Sequence, residues 1–443
     1  ISAQVSPLQV DTLKETKIPD QWDLQSCIDY AKEQNITIRK NRITAASTQI
    51  DVKTAKAAMF PSLSFSTGHQ VVNRPYQETS SRVSGSEIIS SNSKTSYNGN
   101  YGLNASWTLY NGNKRLKTIQ QEKLNNQMAE LDVATSENNI QESIAQVYIQ
   151  ILYAAESVKV NENTLQVSIA QRDRGQELLS AGSIAKSDLA QLEAQVSTDR
   201  YQLVTAQATL EDYKLQLKQL LELDGENEMN IYLPALSDEN VLAPLPTKRD
   251  VYISALSLRP EIEASKLNVE ASELGINIAK SSYFPTISLS AGIGTNHTSG
   301  SDFTFGEQVK NGWNNSIGLS VSVPIFNNRQ TKSAVQKAKL QYETSMLSLL
   351  DEQKALYKTI ESLWLDANSA QQRYAAANEK LKSTQISYEL ISEQFNLGMK
   401  NTVELLTEKN NLLQAQQEQL QAKYMAILNT QLLKFYQGDQ LAL

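Results

Sequence analysis

Four stretches of the chain alternate apolar and polar residues with a period of two, and they come in two pairs. Tyr101, Leu103, Ala105, Trp107 and Leu109 interleave with Gly102, Asn104, Ser106, Thr108 and Tyr110. Ile317, Leu319, Val321, Val323 and Ile325 interleave in the same way with Gly318, Ser320, Ser322, Pro324 and Phe326. Shorter versions precede each, with Leu63 and Phe65 in one and Ile287, Leu289, Ala291 and Ile293 in the other. Successive side chains of a strand point to opposite faces, so the spacing predicts strands over 62–72, 97–110, 286–296 and 314–326, each with one oily face and one polar face. Runs of about ten residues suit the ~9–11 that cross a bilayer at a tilt. On this pattern the lipid-facing residues are Leu103, Trp107, Leu109, Leu289, Ile317, Leu319, Val321 and Val323.

The rest of the pattern is helical. Residues 113–179 hold no proline and no glycine before Gly175, and 329–397 hold neither. Each stretch predicts a single helix, ~100 Å long at ~1.5 Å per residue. Shorter helices are expected over 24–58, 184–222, 250–282 and 401–436. Asp23 and Thr247 are placed to cap the first helix of each half. Gly182 and Gly398 follow the long helices, where a left-handed residue ends a helix most cheaply. Apolar stripes such as Ile140, Ile144, Val147 and Ile151 read as packing faces.

These elements occur twice. Residues 24–66 align with 248–290 without a gap at an offset of 224, matching Ala31 with Ala255, Ile38 with Ile262, Lys56 with Lys280 and Phe60-Pro61 with Phe284-Pro285. From Gly102 onward the offset is 216, pairing Gly102 with Gly318, Asn111 with Asn327, Gly182 with Gly398 and Lys218 with Lys434. The chain is therefore two repeats, 24–223 and 248–436, each running helix, strand, polar loop, strand, long helix, glycine turn, helix. An irregular segment at 1–23, a proline-bearing linker at 224–247 with room for a short strand, and a tail at 437–443 complete it.

Four strands do not close a membrane barrel, since ~8 is the smallest number and side chains fill an eight-stranded interior. Three copies supply twelve strands and a lumen lined by Gly, Ser, Asn and Thr. The expected fold class is mainly α with a membrane β-barrel, four strands per protomer, continued by a tube of paired helices. A trimeric coiled-coil surface fibre, structural or adhesive and without a pore, is the alternative. It accounts for the helices but not for alternating strands at equivalent points of both repeats.

Composition narrows the function. Acidic residues number 48 against 41 basic ones, spread without a block of like charge, which argues against a nucleic-acid partner. Cys27 stands alone, so no disulfide forms within the chain and the thiol is expected in a packing role. The only histidines, His69 and His297, fall in the expected hairpin tips away from any carboxylate pair, and no metal site or cofactor is expected. With no phosphate loop and no Ser/His/Asp arrangement, an enzyme is not expected either. No apolar run reaches the ~18–20 residues of a membrane-spanning helix, a test that does not touch β-barrels. The chain opens at Ile1 rather than Met, which predicts a processed leader and export.

Several short motifs, in order and duplicated at fixed offsets, resemble the TolC family of outer-membrane efflux factors over essentially the whole chain. They are Trp22-Asp23-Leu24 with Ala31 and Asn35, Leu258-Arg259-Pro260-Glu261-Ile262, the paired Phe-Pro dipeptides, Pro324-Ile325-Phe326-Asn327 and the two glycine turns. The resemblance implies a TolC-like homotrimer in the Gram-negative outer membrane, with a twelve-stranded barrel embedded in lipid and an α-helical barrel crossing the periplasm. Its role would be the exit duct of a tripartite efflux or type I secretion system, docked to a periplasmic adaptor and an inner-membrane pump of RND, ABC or MFS type. The resemblance places the periplasmic entrance at the helix turns. Asp188 and Glu404, equivalent in the repeat, would line the constriction, and Lys400 and Phe395 fall where the family uses a cation and an aromatic to hold it shut. Gly182, Ser183, Gly398 and Met399 would form the adaptor-docking turns. The plainer reading of Asp188 and Glu404 is that they favour the positive end of the following helix. Some family members carry an N-terminal lipidated cysteine; none precedes Cys27, and no lipid anchor is expected.

Overall fold

The structure is a computed structural model that describes residues 19–76, 80–84, 87–91, 94–224, 229–234, 241–299, 301 and 303–442. Most of the irregular segment expected at 1–23, two parts of the 224–247 linker and the last residue of the tail lie outside the described residues. The elements in order are α1 (Leu24–Gln34), α2 (Ile36–Ala57), β1 (Ser62–Asn73), β2 (Ser80–Ser84), β3 (Glu87–Ser91), β4 (Thr95–Asn111), α3 (Lys114–Ser180) and α4 (Lys186–Leu220). The second half adds α5 (Lys248–Leu258), α6 (Pro260–Ser281), β5 (Thr286–Thr298), α7 (Phe305–Asn311), β6 (Asn314–Ser322), α8 (Gln330–Asn396) and α9 (Thr402–Gln437). The contacts divide them into two units, one of residues 1–45, 129–265 and 349–443, the other of 46–128 and 266–348.

The first unit is helical. Trp22, Cys27, Ile28 and Ala31 at its N-terminal side pack with Ile144, Tyr148, Ile151 and Leu152 of α3, Leu217 of α4 and Ala426 and Ile427 of α9. Each large side chain buried here contributes about 1.5–3 kcal/mol. Cys27 is a packing residue, as its apolar setting requires, and burial pushes its thiol up to about 12. Trp22 is held from both sides of its backbone, donating to Asn230 O and accepting from Tyr232 N, both at 2.8 Å. The short strand expected in the linker is this single parallel bridge of Trp22 to Ile231.

Two helices expected to be continuous are broken. The helix over 24–58 stops at Asn35 (φ −59°, ψ 127°) and the helix over 250–282 at Arg259 (φ −76°, ψ 123°), positions 224 apart. Pro260 explains the second break, because a proline ring pushes the preceding residue out of the helical region. Asn35 makes the first by capping: its Oδ1 accepts from Thr37 N (2.9 Å) and Ile38 N (3.4 Å), and its Nδ2 donates to Leu220 O (3.0 Å).

The second unit holds a four-stranded antiparallel sheet ordered β1-β4-β5-β6, with β2-β3 as a separate hairpin. Its centre joins β4 of the first repeat to β5 of the second, so each repeat contributes two adjacent strands. The strands outrun their sequence limits where partners continue. The pairing of β1 with β4 runs from Ser62↔Ser106 to Asn73↔Thr95, so His69 lies inside β1, and His297 likewise lies inside β5 rather than in a tip. The β5–β6 connection also carries α7, capped reciprocally by Thr304 and Glu307. At the other extreme β6 ends at Ser322, leaving Val323 and Ile325 outside the strand expected to reach 326. Pro324 has no N–H to give a ladder and forbids its continuation.

Candidate functional site

The register of the sheet sorts its side chains onto two faces. On one, Phe65 lies beside Leu103 and Ile293; Leu63 beside Ala105, Ala291 and Ile317; Trp107 beside Leu289 and Leu319; and Ile287 beside Val321. Leu103, Trp107, Ile317, Leu319 and Val321 are exposed, and Leu289 is half-buried. A bulge between Thr108 and Tyr110 makes Leu109 the unpaired residue and sets Tyr110 opposite Ile287. Of the eight expected lipid-facing residues, Val323 lies past its strand and Leu109 in this bulge; the other six share the oily face. The opposite face consists of small polar residues: Ser62, Ser106, Ser290 and Gly318 form one row, and Ser64, Asn104, Gly292 and Ser316 the next. Ser62 and Ser106 hydroxyls meet at 2.8 Å.

Aromatic residues bracket the oily rows. Towards one end Trp107, in the last oily row but one, donates from Nε1 to Met59 O (2.8 Å), and Tyr110 stands opposite Ile287 in the last. At the other, Tyr97, Tyr101, His69, His297 and Phe305 form a mutual ring cluster. An apolar band bordered by amphipathic rings is the pattern that suits a strand to lipid with water at both ends. None of the described helices is long and apolar enough to cross a membrane.

In the helical unit the two glycine turns are built alike. Gly182 N donates to Leu179 O (2.9 Å) and Ser183 N to Leu178 O (2.8 Å); Gly398 N donates to Phe395 O (2.9 Å) and Met399 N to Gln394 O (2.8 Å). This double bond closes a helix around a left-handed residue, with φ of 73° and 72° at the two glycines. Neither glycine has an atom within 4 Å of where a side chain would begin, and Met399 is exposed, so both apices present bare backbone.

Asp188 and Glu404 are the third residues of α4 and α9. Asp188 Oδ2 accepts from Ala185 N (3.0 Å), but alanine has no side chain to return the bond. Glu404 completes a reciprocal box, accepting from Asn401 N (3.2 Å) while Asn401 Oδ1 accepts from Glu404 N (2.9 Å). Lys400 Nζ sits 2.6 Å from Glu404 Oε1, and this bond, with the Asn401 amide, holds the Glu404 carboxyl below its usual range. Phe395 is 2% exposed and packs with Leu192 and Leu405 under the turns. Within one chain, then, Lys400 is joined to Glu404, whereas Phe395 belongs to the apolar core of the turn end.

The sequence reading missed a buried polar cluster above this core. Lys409 Nζ bonds Asp199 Oδ2 and Ser168 Oγ, and Ser168 also donates to Asp199, linking α9, α4 and α3. The Lys409 and Asp199 side chains are only 4% and 2% exposed. The available signal was positional: Lys409 continues the stripe of Thr402, Leu405, Leu412 and Ala415, and Asp199 that of Leu192 and Val196, so each charge sits at a core position.

The fold matches that of outer-membrane channels of known structure. A crystal structure of CusC superposes with a TM-score of 0.79 at 19% identity, covering 94% of this chain and 92% of that one. The outer membrane protein VceC of Vibrio cholerae gives 0.76 at 16% identity, covering 95% and 97%. The chain belongs to the outer membrane efflux protein family, whose model matches twice, over residues 27–222 and 251–438. The ends of the two matches are offset by 224 and 216 residues, as in the internal repeat. Among curated relatives, the outer membrane efflux protein BepC of Brucella suis is 24% identical over 66% of this chain and 61% of its own length. TolC of Escherichia coli is 24% identical over 64% of this chain and 58% of its own length. These two alignments cover less than two thirds of the relatives' lengths.

Proposed function

We propose that the chain is one protomer of a homotrimeric outer-membrane channel, a passive conduit from periplasm to exterior that serves as the exit duct of an efflux or type I secretion system. Its partners in this role are a periplasmic adaptor, meeting the turns at Gly182-Ser183 and Gly398-Met399, and an inner-membrane pump. The single observation that carries the reading is the sheet: four strands, oily on one face and polar on the other, in which β1 pairs only with β4 and β6 only with β5, so that the outer edge of each is unpaired among the described residues. An open edge in lipid leaves backbone groups unsatisfied at several kcal/mol each, and only closure removes it. Three copies reach twelve strands, enough for a water-filled lumen. Purified protein tests this directly. A trimer that conducts in planar bilayers supports it, and a non-conducting fibre or a stable detergent-free monomer rejects it.

Two substitutions probe the faces. Leu319→Arg puts a cation in the lipid band, at a cost of about 2–4 kcal/mol per chain, and is expected to abolish membrane assembly. Ser320→Arg, one residue on and facing the lumen, is expected to assemble and to shift conductance. Equal behaviour of the two in membrane fractionation would reverse or remove the face assignment. At the turn end, three protomers bring six carboxylates from Asp188 and Glu404 to the opening, which favours cations. Asp188→Ala with Glu404→Ala is expected to lower cation selectivity in single-channel reversal potentials. An unchanged potential leaves both residues as helix caps only.

A further inference from the structure

Two imidazoles converge above Gly99. The register sets Gly99 of β4 between His69 of β1 and His297 of β5, all in one row. A β-carbon on Gly99 would lie nearest to His297 Cε1, at 2.6 Å from His297 Nδ1 and 3.2 Å from His69 Nδ1. Both nitrogens thus face one small space, which exists because residue 99 has no side chain. His297 Nδ1 is buried and has no hydrogen-bond partner. Leaving such an atom unpaired costs about 1–3 kcal/mol, and folded proteins rarely do so without a reason.

The surroundings hold both rings in place. Phe305 of α7 sits edge-on to His297 at 4.9 Å between centroids, and α7 is fixed to β5 by Thr295 Oγ1 donating to Val309 O (2.7 Å) and Gln308 Oε1 accepting from Thr298 N (2.8 Å). His69 Nε2 is 3.1 Å from Thr67 Oγ1, and His69 Nδ1 is 2.8 Å from the Tyr97 hydroxyl. In the tautomer that donates from Nε2 to Thr67, the Nδ1 lone pair accepts from Tyr97 and is free to bind a cation in its place.

We propose that His69 and His297 bind one borderline transition-metal ion, of the class of Cu(II), Ni(II) or Zn(II), through their Nδ1 atoms. Imidazole suits these ions, and metal–nitrogen bonds of ~2.0–2.1 Å need the His297 ring to turn so that Nδ1 rather than Cε1 heads the point at which it and His69 Nδ1 converge, at 2.6 and 3.2 Å. No group of three or more His, Cys, Asp or Glu able to hold a metal occurs among the described residues. Calcium and magnesium, which need a shell of oxygen ligands, therefore do not fit. Water and the Tyr97 hydroxyl complete the coordination. The ion supplies the missing partner of His297 and ties β1 to β5 across β4.

The test uses the untagged chain in detergent with one equivalent of Cu(II). These are its only two histidines, so pulsed electron paramagnetic resonance, which detects the remote nitrogen of a bound imidazole, reads the pair without interference. Two imidazoles per copper are expected in the parent and one in either His69→Ala or His297→Ala, with binding weakened at least about tenfold. Gly99→Ala keeps both ligands but fills the space, and is also expected to weaken binding. A parent spectrum showing fewer than two imidazoles overturns the proposal, whatever the folding of the variants, as does a Gly99→Ala chain that binds as tightly as the parent.

Discussion

Replacing Lys409 by methionine lowers the stability of the helical unit by about 3–5 kcal/mol, read as the midpoint of denaturant unfolding in detergent. Methionine fills nearly the same volume, so the loss is electrostatic. The substitution strands the Asp199 carboxylate, whose side chain is 2% exposed, with only Ser168 and Gln195 as donors. Breaking one partner of a buried pair costs this much because an uncompensated charge remains. In the parent, burial pulls the Lys409 ammonium below the usual lysine range, against the opposing push of Asp199. Adding Asp199→Leu removes the second charge and should recover most of the loss. A single variant as stable as the parent at pH 7 excludes the pair as a tie between α3, α4 and α9.

This cluster also marks where the sequence stopped being legible. Periodicity finds an element when one face is uniformly apolar, and the strands around Trp107 and Val321 and the packing stripe through Ile144 and Ile151 are of that kind. The glycine turns were equally plain, because only a residue tolerant of positive φ ends a helix as Gly182 and Gly398 do. Lys409 and Asp199 were hidden because a charge is normally assigned to the solvated face. Only its position in the stripe, not its chemistry, reveals that it is buried. The residues expected at the entrance divide in the same way. The capping positions of Asp188 and Glu404 follow from local spacing, whereas the burial of Phe395 against Leu192 and Leu405 depends on contacts between helices. The histidines were misplaced into loops because a polar run looks like a tip. The strand expected over 62–72 already contains His69, whereas His297 lies one residue past the limit of 296 and is strand because β4 continues alongside β5, a tertiary fact that the run itself does not carry. Pro260, by contrast, was a visible signal for the break at Arg259, and its neighbour at the equivalent of Asn35 pointed to the other.

Those two breaks lead to the second large expected effect, a loss of about 3–5 kcal/mol in Arg259→Ala. The guanidinium side chain is 6% exposed, with Nη2 donating to Glu142 Oε1 at 2.6 Å, Nε 3.0 Å from Glu261 Oε1 and the Tyr436 ring 3.8 Å beneath it. Burial pushes the Tyr436 hydroxyl up to about 12, so that ring is a neutral platform for the cation at any working pH. Removing the arginine leaves both Glu142 and Glu261 without the cation they share. Arg259→Lys should recover only part of the loss, since an ammonium neither forks between two carboxylates nor stacks on the ring. Asn35 occupies the same position of the first repeat and breaks its helix with neutral hydrogen bonds alone, so Asn35→Ala should cost only about 1–2 kcal/mol. Unfolding midpoints of the three variants decide the matter. Equal losses in Arg259→Ala and Asn35→Ala would mean that the backbone break itself carries the energy. The expected inequality means that duplication preserved the geometry of the break while its two copies acquired different chemistry.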